Sequence, residues 1–283
     1  MAPLLLDVRS QRRRDPVWDA MPKFEPTIEP KYSGARPDFA AIGALSVERM
    51  TRRDLTRRTM AALAPGAAPL AVAFCNAHTA EIALRDADYR AALEKFCVVN
   101  DGIGLEIAAR ILERRGFPEN LNGTDFIPAL LADLPAGARL YLLGAAPGVA
   151  EEAGRRFAAR FPHLDIVGVW HGFFRPEDEE DVVRAVAAAK PDVLLVALGN
   201  PAQEMFIARH FGALGAKTMF GVGALFDFAA ERVARAPVWM RRARLEWAFR
   251  LAQEPGRLLR RYTIETAAFL IAVLRLRALE EAR

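Results

Sequence analysis

The chain has 283 residues, of which 52% are hydrophobic and 26% are charged, so it is long enough for one substantial core or for one core with an appendage. Cys75 and Cys97 stand in apolar stretches without ligand-like neighbours, which argues against a disulfide framework or a zinc site. The net charge of +4 is uneven, because residues 232–283 hold twelve arginines and five glutamates. This local excess favours a polyanion or an anionic membrane near the C-terminal end and argues against a general nucleic-acid partner.

Residues 1–42 are predicted to form an arm, because prolines stand there among charges without a sustained apolar period. The arginines at positions 9 and 12–14 follow the first apolar residues, which is the reverse of the order in a signal peptide. The longest strongly apolar stretch, Ala267–Leu274, is well short of the ~20 residues that cross a bilayer. We therefore expect no export signal and no membrane span.

Residues 43–233 alternate short apolar runs with longer stretches rich in alanine, arginine and glutamate. This alternation predicts an α/β fold, in which a parallel sheet is covered by helices. The predicted strands are Leu70–Phe74, Phe96–Val99, Arg139–Leu143, Asp165–Trp170, Val193–Ala197 and Thr218–Gly221. The predicted helices are Thr79–Leu93, Gly104–Arg115, Val149–Arg160, Glu177–Ala189 and Gln203–Phe211.

Residues 234–283 are predicted to form an arginine-rich helical appendage, since the strand signals stop after Val233. The last segment, Arg257–Arg283, mixes aliphatic residues with arginines, and such a helix is predicted to lie in a membrane interface. In the alternative interpretation, the apolar stripe packs on the main core and the arginines face solvent.

An aspartate follows the second predicted strand in the run Asn100-Asp101-Gly102-Ile-Gly104. The neighbouring glycines let a substrate approach closely. Inverting displacement at the anomeric carbon of a sugar needs one positioned carboxylate to deprotonate the acceptor hydroxyl, and Asp101 is the best candidate for that base. The alternative is a turn aspartate that caps the following helix.

Two further strand ends carry candidate ligand groups. The turn that begins at Gly144 leads into a helix, and its backbone amides suit a diphosphate, although such turns also occur as plain connections. The run Gly199-Asn-Pro201-Ala-Gln203-Glu204 lies at a carboxyl edge, where ligands bind in open parallel sheets. Gln203 is predicted to hydrogen-bond a base or a sugar, and Glu204 to accept from hydroxyls or to act as the N-terminal acid of a helix.

Two polar turns are predicted to face the same cleft. Asn76 and His78 follow the first predicted strand, although His78 is equally suited to a structural role. The second turn contains Asn122, Thr124 and Asp125, of which Asp125 has the alternative role of a helix cap. No DxD pair or HExxH motif stands out, so no metal cofactor is expected.

In chain order these segments resemble the WecG/TagA/CpsF glycosyltransferases over about Leu70 to Tyr262. The matching segments are the Asn76 turn, Asn100–Gly104, Asn122–Asp125, Leu142–Gly144, Leu198–Glu204, Gly221–Ala224, Arg235–Trp239, Leu245–Leu251 and Glu254–Tyr262. The resemblance implies a Rossmann-like α/β domain, a UDP-sugar donor and inversion without an essential metal. It also implies an acceptor glycan linked to undecaprenyl diphosphate.

The predicted site follows from these motif positions. Asp101 is the predicted base, and Gln203 is a predicted active-site polar contact. The residues predicted to contact substrate are Asn76, Asn100, Gly102, Asn122, Thr124, Asp125, Gly144, Gly199, Pro201, Glu204 and Gly223. The arginines predicted to close over the diphosphates are Arg250, Arg257, Arg260 and Arg261, and those predicted to meet anionic lipid are Arg241, Arg242 and Arg244.

The chain departs from the family pattern at Phe74, where members often have threonine, and at Asn120, where many have arginine. The donor sugar therefore stays open among N-acetylmannosamine, its uronic acid and another hexose or uronic acid for a cell-surface polysaccharide or exopolysaccharide. The expected location is cytoplasmic, peripheral on the inner face of the cell membrane. Whether the chain forms a homo-oligomer also stays open.

Two functions of other classes remain as alternatives. A nicotinamide-dependent oxidoreductase would use the same sheet edge, but neither Gly144–Gly148 nor Gly221–Phe226 supplies a full GxGxxG turn. A non-enzymatic membrane adaptor would use the arginine-rich segment and would leave the polar residues of the cleft without a role.

Overall fold

A computed structural model describes residues 38–237, 240, 246–253 and 255–281. The strands are β1 (Phe39–Ile42), β2 (Leu45–Glu48), β3 (Leu70–Cys75), β4 (Phe96–Asn100), β5 (Arg139–Gly144), β6 (Asp165–Trp170), β7 (Val193–Ala197) and β8 (Thr218–Gly221). They form one sheet in the order β1-β2-β4-β3-β8-β7-β5-β6. Apart from the antiparallel pair of β1 and β2, all neighbouring strands are parallel. The predicted Rossmann-like parallel α/β sheet is therefore confirmed.

Helices connect the strands and cover both faces of the sheet. They are α1 (Arg52–Ala62), α2 (Ala77–Arg85), α3 (Ala87–Leu93), α4 (Ile103–Glu113), α5 (Gly123–Asp133), α6 (Val149–Arg160), α7 (Glu179–Ala189), α8 (Ala202–His210), α9 (Leu225–Ala229), α10 (Glu246–Gln253), α11 (Pro255–Arg260) and α12 (Thr266–Glu281). A 3-10 turn at Pro176–Asp178 precedes α7, and a π-helical turn at Arg261–Glu265 joins α11 to α12.

The sheet begins earlier than the sequence indicated. β1 lies within the predicted arm of residues 1–42, so the folded domain includes Phe39–Ile42 and the predicted boundary at residue 43 is too late. Arg49 fixes this edge, because its guanidinium pairs with Asp38 and Glu113 and donates to the carbonyl oxygen of Phe39. Two strands of four residues carry too little periodicity to be recognised in a sequence.

Three helices, α1, α5 and the five-residue α9, were missed, and one predicted helix is two. The helix α1 begins with a capping box, in which Thr51 and Asp54 exchange hydrogen bonds, and this Thr-x-x-Asp spacing is a sequence signal that would have found it. The predicted helix Thr79–Leu93 is interrupted at Asp86, whose extended backbone starts α3 and whose side chain accepts from the Tyr89 amide. The second missed helix, α5, starts at the polar turn after Asn122.

The C-terminal segment packs partly on the main core. Phe269 and Val273 of α12 are fully buried, and they join the core cluster on the face of the sheet that α2 and α4 cover. This arrangement confirms the docking alternative for those two residues. Ile271 and Leu274, on the opposite side of α12, are 49% and 55% exposed. No helix in the described ranges is long and apolar enough to cross a membrane.

The parallel strands bring their carboxyl ends to one edge of the sheet. Cys75 pairs with Asn100, Gly144 pairs with Ala197, and Gly221 is aligned with both Ala73 and Val196. Because strand ends that are level in register place their following turns side by side, the motif turns after β3, β4, β5, β7 and β8 share this carboxyl edge.

Candidate active site

Asp101 stands directly after β4, on a turn that the backbone holds on both sides. Its amide donates to the carbonyl oxygen of Cys75 at 2.7 Å, which fixes the turn to the end of β3. The next amide, that of Gly102, donates to Asn120 Oδ1 at 2.6 Å. Gly102 has φ +91°, a region that a side chain rarely adopts. Asp101 is half-buried. Its backbone is therefore fixed by the two hydrogen bonds, while the residue stays partly accessible to solvent.

Asn100, one residue earlier, is the other polar group at the end of β4. Its side chain is 2% exposed, and within the described residues its buried Oδ1 has no hydrogen-bond partner. A buried acceptor without a donor costs on the order of 1–3 kcal/mol. Such a cost marks a position where a ligand donor would be favourable.

Asn76 and Asn122, which were predicted to contact substrate, also have a structural role as helix caps. Asn76 Oδ1 accepts from the amides of His78 and Thr79 and so caps α2. Asn122 Oδ1 accepts from the Thr124 amide at 2.8 Å and caps α5. Both caps lie at the carboxyl edge, as predicted, and their contact with substrate stays a prediction.

By contrast, α4, α6 and α8 begin at the same edge without a side-chain cap. First-turn amides that lack a partner keep their partial positive charge for an anion, although Val149 of α6 and Gln203 of α8 already donate to the carbonyl oxygens of Ala146 and Gly199. Gly144 supports the turn before α6, because a Cβ there would lie 2.5 Å from the carbonyl carbon of Ala197. Only glycine therefore lets β5 and β7 run this close. A ligand contact of Gly144 stays a prediction.

The turn after β7 leads into a polar cluster formed by Tyr89, Asn200, Gln203 and Glu204. Gly199 has φ +80°, and the bond between Asn200 and Pro201 is cis. Gln203 is 2% exposed and Glu204 is fully buried. Burial raises the pKa of Glu204 to about 7, although its hydrogen bonds to Gln203, Tyr89 and Asn200 oppose the shift. Neither side chain lies open to solvent in this structure, and the substrate contacts predicted for them stay predictions.

Gly223 is held by the same cluster, since its amide donates to Gln203 Oε1 at 3.0 Å. Tyr89 reaches the cluster from α3, and its hydroxyl donates to Glu204 Oε2 at 3.1 Å. No sequence signal pointed to Tyr89, because it lies 115 positions from Glu204.

The segment after α9 brings cations to the polar turn of α5. Arg235 pairs with Asp125 at 3.0 Å and donates to the Thr124 carbonyl oxygen. The guanidinium groups of Arg235 and Arg250 lie 5.8 and 5.2 Å from the centre of the Phe228 ring. The two arginines thus converge on one aromatic side chain, which supports an anion-binding role for this corner. Arg235 stood within a matching segment of the sequence but had been given no role of its own.

The C-terminal helices also contact the first motif turn. His78 Nδ1 lies 2.8 Å from Glu265 Oε2, in the π-helical turn. Arg260 is 3.9 Å from the same carboxylate and is largely exposed. The predicted lipid contacts Arg241, Arg242 and Arg244 lie outside the described residues, as do the side chains of Arg257 and Arg261.

The two departures from the family pattern have visible consequences. Phe74 packs in an aromatic cluster with Phe126 and Phe220, at centroid distances of 5.9 and 6.4 Å. Asn120 accepts from the Gly102 amide and so supports the Asp101 turn. Within the described residues, no three His, Cys, Asp or Glu side chains group as ligands for a metal ion.

Comparison with known proteins places this site in a family. The model of the glycosyl transferase WecG/TagA/CpsF family matches residues 40–283. The chain is 31% identical over 198 residues to an N-acetylglucosaminyldiphosphoundecaprenol N-acetyl-beta-D-mannosaminyltransferase of Bacillus subtilis (strain 168), covering 69% of this chain and 76% of the relative. It is 32% identical over 178 residues to the enzyme of the same name from Bacillus spizizenii (strain ATCC 23059 / NRRL B-14472 / W23), covering 62% and 68%.

Proposed function

Because this chain belongs to the WecG/TagA/CpsF family and is a glycosyltransferase, we propose that it moves a hexose-type sugar from a UDP donor to a polyprenyl-diphosphate-linked glycan. The two Bacillus relatives are named as transferases of N-acetylmannosamine onto an undecaprenol-diphosphate-linked N-acetylglucosamine. The donor here is N-acetylmannosamine, its uronic acid or another hexose or uronic acid, for a cell-surface polysaccharide or exopolysaccharide. Family membership removes the oxidoreductase and adaptor alternatives.

The observation that carries the proposed mechanism is the position of Asp101. Its backbone is anchored to Cys75 and, through Gly102, to Asn120, while its side chain is only half-buried. In the proposed reaction, Asp101 takes the proton of an acceptor hydroxyl as that oxygen bonds to the anomeric carbon. The bond from this carbon to the UDP oxygen breaks, and its electron pair leaves with UDP. Attack opposite the leaving group inverts the anomeric centre.

The donor diphosphate would lie against the uncapped helix starts. The amides at the first turns of α4, α6 and α8 supply partial positive charge to an anion without any metal ion. The buried Asn100 Oδ1 would accept from a substrate hydroxyl or amide. In this proposal the helix amides take the place that a metal ion has in other transferases, and the absence of a metal requirement stays a prediction.

The C-terminal segment would complete the diphosphate site. Arg235, which pairs with Asp125, and Arg250 both lie over the Phe228 ring, and a polyphosphate between them would lower their mutual repulsion. Arg257, Arg260 and Arg261 continue the same basic segment. We expect these arginines to close over the leaving UDP or the acceptor diphosphate.

The outer side of the C-terminal segment would meet the membrane that carries the acceptor. Ile264, Ile271 and Leu274 are exposed in and after the π-helical turn, and Arg260 and Arg275 are exposed beside them. Apolar groups flanked by arginines suit an anionic lipid surface. The proposed location is therefore peripheral, on the inner face of the cell membrane, with Arg241, Arg242 and Arg244 as further lipid contacts.

A vesicle experiment tests this surface separately from catalysis. Leu274→Glu should weaken sedimentation of the protein with anionic vesicles, and added salt should weaken it further. Phe173→Glu is the matched control, because Phe173 is 56% exposed but follows β6 at the far edge of the sheet. Equal sedimentation of both variants and the unaltered protein would contradict the proposed surface.

The transferase function is tested by acceptor-dependent release of UDP. The intact chain is supplied with a panel of UDP-hexoses and UDP-hexuronic acids and with a polyprenyl-diphosphate-linked N-acetylglucosamine. Release with one donor class would support the proposal and identify the sugar. Asp101→Asn should lower kcat by about 100-fold or more. Asp165→Asn, at the amino end of β6, should leave kcat unchanged.

A further inference from the structure

A buried carboxylate stands behind the carboxyl ends of β7 and β8 with three neutral hydrogen-bond donors. Glu204 Oε1 accepts from Asn200 Nδ2 and from Gln203 Nε2, each at 2.7 Å. Its other oxygen, Oε2, accepts from the Tyr89 hydroxyl. Glu204 is fully buried, and within the described ranges its hydrogen-bond partners are these three side chains and its own backbone amide, none of them a cation. A carboxylate so placed is held by its donors alone.

The hydrogen bonds to Glu204 set the direction of two side-chain amides. If either amide were reversed, its oxygen would face Glu204 Oε1, and two acceptors would oppose each other. The nitrogen of Gln203 is therefore turned inward, and its oxygen accepts from the Gly223 amide. The nitrogen of Asn200 is likewise turned inward, which directs Asn200 Oδ1 away from Glu204.

Asn200 differs from Gln203 in what its oxygen contacts. Asn200 is half-buried, and no hydrogen bond within the described part of the chain involves its Oδ1. It follows β7 at the carboxyl edge, two residues after Leu198 and next to the cis peptide bond. Its oxygen is thus a pre-oriented acceptor at the edge where the substrate is proposed to bind.

The neighbouring strand β8 lies close to the cluster, and it carries a glycine at the point of contact. A Cβ on Gly221 of β8 would lie 2.8 Å from Gln203 Nε2 and 3.0 Å from Glu204 Oε1. Contacts below 3.0 Å force a neighbour to move. The glycine at this position therefore lets the amide and the carboxylate pack directly on the sheet.

We propose that Glu204 is a positioning residue of the transfer site, which orients the Asn200 amide so that its oxygen accepts a hydrogen bond from the substrate. The inference rests on the proposed transferase function. An acceptor at this point recognises a group that donates, either a sugar hydroxyl or the imide N–H of a uracil base. Glu204 acts through Asn200 and, through Gln203, on the Gly223 turn, and does not itself touch the substrate.

A double-mutant cycle tests this assignment in the full chain, with kcat/KM for the UDP-sugar as the readout. Glu204→Leu removes the acceptor for both amides and should lower kcat/KM by about tenfold to a hundredfold. In an Asn200→Ala background the same substitution should cost at most about threefold, since the amide it orients is already gone. Glu204→Gln keeps an acceptor oxygen for the amides and should restore kcat/KM to within about threefold of the unaltered chain.

Controls separate positioning from stability. Glu81→Leu removes a glutamate that is 9% exposed and outside the cluster, and should leave kcat/KM of the folded protein unchanged. If Glu204→Leu does not fold, Glu204→Asp makes the same test, because the shorter side chain withdraws the acceptor from both amides. Thermal melting and circular dichroism establish that each variant is folded.

Three results would overturn the proposal. These are an unchanged kcat/KM in folded Glu204→Leu, losses that multiply in the double variant, or a loss in Glu204→Gln as large as in Glu204→Leu. An unaltered chain that releases no UDP from any UDP-sugar would overturn the proposed function, and the inference with it. An active chain that is insensitive to Glu204→Leu would overturn the inference alone.

Discussion

The two sides of the carboxyl edge use an acidic residue in opposite ways. On the β4 side, Asp101 is half-buried on a turn that is anchored through backbone amides, and the neighbouring Asn100 Oδ1 has no donor within the described residues. On the β7 side, Glu204 is fully buried and accepts from three side chains. On the β4 side an acceptor atom is left for a ligand. On the β7 side the acceptor atoms of Glu204 are used in hydrogen bonds that orient the surrounding side chains. Burial, rather than residue type, separates the proposed base from the proposed positioning residue.

The largest expected difference between the two sides is in the pH dependence of stability. Burial raises the pKa of Glu204 from 4.5 to about 7, so the folded chain keeps a proton that the unfolded chain loses. The stability from this group is complete below about pH 4.5 and is lost as the pH rises through 7. Glu204→Gln removes that loss, so from pH 4.5 to 8 its free energy of unfolding should rise relative to the unaltered chain by about 3 kcal/mol.

Urea unfolding of both proteins across that pH range measures this difference. The ionisable groups that face Glu204 are Tyr89 and Cys75, whose pKa values burial raises well above their ordinary values, so both stay neutral throughout. Glu204 and Asp101 both act electrostatically on the Cys75 thiol, and both raise its pKa. Parallel pH profiles of the two proteins would contradict the assignment of a raised pKa to Glu204.

A smaller effect tests how tightly the β7 side, with Gln203 and Glu204, packs against β8. Gly221→Ala places a Cβ against Gln203 and Glu204, and it should lower the free energy of unfolding by about 2 kcal/mol. Gly212→Ala, where a Cβ meets nothing within 4 Å, should change stability by less than about 0.5 kcal/mol. Equal melting temperatures for the two variants would show that a Cβ at Gly221 fits beside Gln203 and Glu204 without strain.

The smallest effect concerns the contact that holds the Asp101 turn in place on the β4 side. Asn120→Ala removes the acceptor of the Gly102 amide and loosens the turn that carries Asp101. We expect kcat to fall by about tenfold with the KM for the donor unchanged, because misplacing a base affects the chemical step more than binding. Glu119→Ala, which alters the neighbouring contact to the Arg52 amide, is the control, and an equal loss there would assign the effect to the loop as a whole.

The β4 side, with Asp101, was more predictable from the sequence than the β7 side, with Glu204. An aspartate between an apolar strand and two glycines is a local signal, and it made Asp101 the candidate base, a role that stays a prediction. The burial of Glu204 depends on Tyr89, which lies 115 positions away, and on the missing side chain of Gly221. A sequence gives no measure of such long-range contacts, so a substrate contact was the natural interpretation of Glu204.

The same distinction between local and long-range signals explains the fold. Apolar runs bounded by turn residues located the central strands, whereas β1 and β2 are short and depend on the distant partner Glu113 through Arg49. In α12, the sequence showed amphipathicity but not which apolar residues face the core. Phe269 and Val273 pack inward, and Ile271 and Leu274 remain outside.

The central claim is that Asp101 accepts the proton of the acceptor while Glu204 only orients its neighbours. Acceptor-dependent UDP release at saturating donor and acceptor, measured side by side for Asp101→Asn and Glu204→Gln, tests it most directly. Asp101→Asn should lower kcat by about 100-fold or more, whereas Glu204→Gln should change it by no more than about threefold. Comparable losses in both variants, or near-normal turnover in Asp101→Asn, would contradict it.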